Sequence, residues 1–110
     1  MEIHTTRSGN TSIIALDGQF SYGDDKRLTD LTVRCADEGA TVIAVDVSRL
    51  NYLSSSGIAA ILGMLKAADE KKSEFVLFGM NQKVTLIMEK VFSHDFVPLL
   101  TEEEFKRKYL

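Results

Sequence analysis

The stretch Thr41-Val42-Ile43-Ala44-Val45-Asp46-Val47 leads through Asn51-Tyr52-Leu53-Ser54-Ser55-Ser56-Gly57 to Ile58, Ile61, Leu62, Leu65 and Ala68. The first seven residues are nearly all β-branched or apolar, the pattern of a strand covered on both faces in a parallel sheet. The last five recur at helical spacing and predict the apolar face of a helix. Lys66, Asp69, Glu70, Lys71 and Lys72 supply its polar side and exit. The serine triplet falls between the two, on a turn at the carboxyl end of the strand. Hydroxyls and free backbone N–H groups on such a turn can stabilise a phosphoryl group or an acidic side chain.

The same layering extends in both directions. Met1 to Arg7 alternates weakly, Ser8-Gly9-Asn10 is a turn signal, and Ser12 to Leu16 reads as a second strand, so the two predict a hairpin at one sheet edge. Asp24 to Glu38 reads as a helix with Leu28, Leu31, Cys35 and Ala36 on one stripe, stopped by Gly39. Beyond the second helix, Phe75 to Phe78 is a further buried strand closed by Gly79. Asn81 can cap a helix carrying Val84, Ile87, Met88 and Val91. Phe96 to Leu100 is a short strand that Pro98 assigns to an edge. Thr101-Glu102-Glu103-Glu104 fits a capping box ahead of a last helix with Phe105 and Tyr109. The order β-β-α-β-α-β-α-β-α predicts a single α/β domain over residues 1–110 with a mostly parallel sheet.

Composition narrows the function. A formal charge of -3 from 13 basic and 16 acidic residues argues against a nucleic-acid partner, which needs concentrated Lys and Arg. No stretch has the length of a membrane span, and the N-terminus lacks the blocks of a signal peptide, so a cytoplasmic protein without direct membrane insertion is expected. The one cysteine, Cys35, sits at an apolar helical position and reads as a core thiol. Met64 and Met88 also read as core.

The serine turn has two readings. Capping alone needs one serine, whose hydroxyl accepts from an N–H two or three residues on; three in a row exceed that need. A nucleophilic serine requires a histidine base, and the chain offers only His4 and His94, with no Gly-x-Ser-x-Gly elbow. A nucleotide loop wants more glycine and a lysine, and no basic residue lies between Leu50 and Leu65. No residue set has convincing metal-ligand spacing, and no cofactor is expected. What remains is a serine modified by another protein, because a phosphate at a helix N-terminus is tolerated locally while it alters what docks there. Tyr22, Tyr52 and Met80 form either an apolar docking patch around this turn or part of the core.

Val42 to Ser48, Leu50, Tyr52, Leu53, Ser54-Ser55-Ser56-Gly57 and Ile58 to Leu62 resemble the central segment of the STAS domain, the family of the bacterial anti-anti-sigma factors, or anti-sigma factor antagonists. The resemblance continues through Phe75-Val76-Leu77-Phe78-Gly79 and reaches back to Leu16-Asp17-Gly18-Gln19-Phe20. It implies a small α/β domain, with a mixed, mostly parallel sheet of four to five strands and helices mainly on one face. It implies no enzymatic activity. The implied partner is an anti-sigma factor with serine kinase activity; binding it releases a sigma factor, and phosphorylation ends the binding.

The family's phosphorylated serine follows an aspartate in Asp-Ser-Ser-Gly. Carried onto this chain it is Ser55, with Ser56 and Gly57 after it and Ser54 in the aspartate's place. Ser21 likewise stands where the preceding loop of the family carries aspartate, with Asp24 and Asp25 near enough to replace that charge. The expected partner surface comprises Ser21, Tyr22, Asp24, Tyr52, Ser54, Ser55, Ser56, Gly57 and Met80. Alternatives are a docking subunit of another signalling or transport assembly that is not phosphorylated, and a small serine hydrolase. Self-association is left open.

Overall fold

The computed structural model describes residues 1–50, 53–91 and 97–110. Five strands form one sheet in the order β1-β2-β3-β4-β5: Glu2–Ser8, Thr11–Gly18, Val42–Leu50, Glu74–Phe78 and Leu99–Leu100. β1 and β2 form the expected antiparallel hairpin, with Ile3 opposite Leu16 and Arg7 opposite Ser12. β2, β3, β4 and β5 run parallel, with Ile14 opposite Val45 and Val45 opposite Leu77. Parallel neighbours need crossovers, and the helices α1 (Asp24–Asp37), α2 (Ser55–Glu70) and α3 (Gln82–Val91) supply them. The fourth helix, α4 (Glu102–Tyr109), closes the chain.

Strand alternation sends two sets of side chains to opposite faces. On one face Ile14, Leu16, Ile43, Val45, Val47, Phe75 and Leu77 meet Leu28 and Cys35 of α1, Ile61 and Met64 of α2, and Val84 and Met88 of α3. On the other, Ala44, Val76 and Phe78 meet Phe105 of α4, with Tyr109 of the same helix packed beside it. The Phe105 ring stacks on Phe78 at 3.9 Å between centroids and 6° between planes. Three helices on one face and one on the other is the expected distribution. Full burial of such a side chain is worth about 1.5–3 kcal/mol, so Phe105 holds α4 in place.

Cys35 is buried as expected, and so are both core methionines. Leu62 departs from the expected apolar face and is 42% exposed. At 100° per residue it cannot share the buried stripe of Ile61, Met64 and Ala68, and small Ala60 and Ala67 take the places beside them. The strand after Thr41 also runs further than Val47, to Leu50. β5 is limited to two residues following Pro98, whereas Phe96, the expected start of that strand, lies outside the described residues.

Candidate functional site

β3 delivers the chain to the serine turn. Leu53 is buried beneath it, and Ser54 has extended backbone (φ -84, ψ 169) at the N-cap of α2. The Ser54 hydroxyl accepts from the Gly57 N–H at 3.1 Å, and its carbonyl accepts from the Ile58 N–H at 2.9 Å. Ser54 therefore does the capping, and Ser55 and Ser56 are exposed on the first turn of the helix. No acidic residue occupies that turn. The positive end of the helix dipole thus has no acidic side chain in its own first turn. Serine at the cap keeps the hydrogen bond an aspartate would make and leaves out its charge.

The loop between β2 and α1 lies alongside. Phe20 covers Gly57 so closely that a Cβ there would stand 2.6 Å from the ring's Cδ2 and 3.0 Å from Leu53 Cδ1. Only glycine fits beneath that ring. Gly23, at φ 91, takes the left-handed conformation that turns the loop into α1.

Asp24 then turns inward. Its Oδ2 accepts from the Ser21 N–H at 2.7 Å and the Ser21 hydroxyl at 2.9 Å, and its Oδ1 accepts from Arg27 Nη1 at 3.0 Å. Burial alone would raise its pKa, but the Ser21 hydrogen bonds, the positive chain N-terminus and the Arg27 contact together outweigh burial and hold it below the ordinary carboxylate value. Asp25 stays exposed.

Between loop and helix lies a cleft of about 480 Å³ lined by Phe20, Ser21, Tyr22, Gly23, Asp25, Ser56 and Ala59. Of the expected partner surface, the structure brings Ser21, Tyr22 and Ser56 to this cleft, with Ser54, Ser55 and Gly57 on the adjoining turn. Tyr22 is fully exposed. Asp24, 3% exposed, belongs to the loop's internal hydrogen bonds and does not present its carboxylate at the surface. Met80 is half-buried against the core. Tyr52 lies outside the described residues.

Phe20, Gly23, Asp25 and Ala59 are absent from the expected set. The i, i+3 spacing of Ser21 and Asp24, typical of a local capping interaction, was the available signal that Asp24 would be consumed and Asp25 left at the surface.

The histidines give the serine turn no base in the described structure. His4 is exposed on β1 beside Glu2, at 3.5 Å, and His94 lies outside the described residues. Among the described residues no group of three or more His, Cys, Asp or Glu could hold a metal ion, and no helix is long and apolar enough to cross a membrane.

The fold agrees with the comparisons. The family model described as "Mlab, STAS domain" matches residues 3–98, so the chain belongs to the STAS-domain family. The anti-sigma-B factor antagonist of Listeria monocytogenes is 26% identical over 62 residues, which cover 56% of this chain and 54% of that protein. The match thus spans about half the length of this curated relative.

Among solved structures, the anti-sigma factor antagonist SpoIIAA in its unphosphorylated form superposes with a TM-score of 0.74 at 18% identity, covering 99% of this chain and 98% of that one. The phosphorylated form of SpoIIAA from Bacillus gives 0.73 at 18%, covering 99% and 100%. A sulfate transporter family protein of Wolinella succinogenes gives 0.72 at 13%, covering 90% and 84%. These likenesses are of fold. Members of this family are regulatory and non-catalytic.

Proposed function

We propose that this domain is a phosphorylation-controlled binding module that engages an anti-sigma factor with serine kinase activity and so frees a sigma factor, with Ser55 as phospho-acceptor. The observation that carries this reading is the division of labour in the triplet. Ser54 is consumed by the cap, while Ser55 is exposed at the first helical position with no acidic neighbour in that turn. A phosphate there, with about 1.5–2 negative charges, meets the positive end of α2 and leaves the fold intact. The partner surface is the adjoining cleft with Tyr22, Ser21, Asp25 and Ser56. New charge beside it repels acidic groups of a docked partner and converts the modification into release.

This reading is supported by relatives that are anti-sigma factor antagonists, one of them solved in phosphorylated and unphosphorylated forms. A pull-down from cells expressing this protein tests it. Unmodified protein retains a kinase-type anti-sigma factor, and Ser55→Asp, folded by circular dichroism, loses it. Equal retention by Ser55→Asp refutes the switch.

A second reading is favoured by the transporter-family likeness. It makes the same cleft an unmodified docking site in another signalling or transport assembly. Recovery of such an assembly, with no phosphoryl group on the bound protein, would establish it in place of the first.

A further inference from the structure

The hairpin strand β1 extends beyond the cover of α1 and leaves a groove on the helical face of the sheet. The cross-strand pairs Thr5–Ile14 and Arg7–Ser12 put Thr5, Arg7 and Ser12 on that face, since directly paired residues point the same way. Two adjoining cavities of about 370 Å³ each share Thr5, Leu31 and Arg34. The first also contains Arg7, Ser12 and Cys35, and the second Arg27. The first cavity lies at the amino ends of β2 and β3, the opposite end of the sheet from the serine turn.

The groove reverses the charge balance of the molecule. Three guanidiniums line it against two carboxylates, Asp30 and Glu38, on a chain of net charge -3. Asp30 is already paired with Lys26 at 3.2 Å. Arg27 is held by Asp24 at 3.0 Å. Arg7 is fixed by bonds from Nε to the Gly9 carbonyl at 2.9 Å and from Nη1 to the Glu38 carbonyl at 3.3 Å, which leave further N–H groups unspent. Arg34 makes no ion pair among the described residues.

The floor is the second observation. Ser12 is 3% exposed, and its hydroxyl makes no hydrogen bond among the described residues. Among the described residues no polar side-chain atom sealed from solvent lacks a partner, so this hydroxyl opens into the groove. A hydroxyl on the floor of the groove with no partner among the described residues is free to donate to an acceptor that enters between the two arginines.

We propose that this groove is a binding site for a small phosphoryl-bearing molecule. Arg7, Arg34 and the Ser12 hydroxyl supply donors to the phosphoryl oxygens, and the Leu31 and Cys35 wall receives the carbon skeleton. Planar guanidiniums match the oxygens of a phosphoryl group in pairs, and a cavity of this size accommodates a small metabolite.

Nuclear magnetic resonance titration of the full chain tests this at constant ionic strength, with inorganic phosphate and with glycerol 3-phosphate as probes. Saturable shifts at Thr5, Arg7, Ser12, Arg34 and Cys35, larger with the organic phosphate, are expected. Arg34→Gln, at an exposed position that does not threaten folding, weakens binding by about tenfold, the loss expected for one charge-assisted bond. Ser12→Ala weakens it as well. Shifts confined to Ser54–Gly57, a uniform drift without saturation, or undiminished binding by Arg34→Gln would each overturn the proposal.

Discussion

Phe20 rests directly on Gly57, locking the loop after β2 to the first turn of α2. This contact makes one surface of two segments more than thirty residues apart in the chain, and the cleft beside the serine turn exists because of it.

Substituting Gly57→Ala tests that lock. Alanine gains about 1 kcal/mol of helix propensity over glycine. The displaced Phe20 ring and Leu53 cost about 1–3 kcal/mol as overpacking. We expect lower stability and amide shifts concentrated in residues 20–23. Phe20→Ala should relieve much of the cost in the double variant, read as a coupling energy by chemical denaturation. Additive effects would separate the loop from the turn.

Ser54 is the cap, and its two replacements should diverge. Ser54→Ala removes the bond to the Gly57 N–H and lowers stability by about 0.5–2 kcal/mol. Ser54→Asp keeps the bond and adds charge at the helix N-terminus, raising stability by about 0.3–1 kcal/mol. Thermal melts of the two variants check this. A phosphate on Ser55 should destabilise the Asp variant relative to the natural chain, because two negative charges then share one turn.

Much of this was legible in the chain, and the failures have physical causes. Strand, turn and helix around residues 41–68 could be read because β-branched runs and helical spacing are local signals. The capping box of α4 was equally readable, and both of its bonds form. The inward turn of Asp24 is signalled locally only by its i, i+3 spacing from Ser21, and the helix phase that left-handed Gly23 sets decides that it, and not Asp25, is buried. The Phe20–Gly57 approach could not be read, since nothing local to either residue reports a tertiary contact. Leu62 departs from expectation because hydrophobicity alone does not report burial, and alanines fill the narrow space beneath α2.

Asp24 should make folding acid-sensitive. Its folded pKa lies below the unfolded value of 3.8. Its contribution is therefore present above that value and is lost as pH falls through the folded one. Asp24→Ala should lower stability at neutral pH by about 1–3 kcal/mol. The difference from the natural chain should narrow under acid conditions, as followed by denaturation at several pH values. A constant difference down to strong acid would contradict the proposed linkage.

Tyr109 gives the opposite sign at the alkaline end. Its hydroxyl donates to Glu74 Oε1 at 2.7 Å, and burial together with that carboxylate pushes its pKa up to about 12 from 10.0. The contribution is complete below pH 10.0 and is lost as pH rises through about 12. Ultraviolet titration should resolve one of the three tyrosines ionising late, and Tyr109→Phe should remove that step.

The most direct test of the central claim is phosphosite mapping by tandem mass spectrometry on the protein exposed to its own cellular kinase. A single phosphoryl group on Ser55, with Ser54 and Ser56 unmodified, is the predicted result. Phosphate on Ser54 or Ser56 in place of Ser55, or a protein that its partner kinase binds and leaves unmodified, would contradict it.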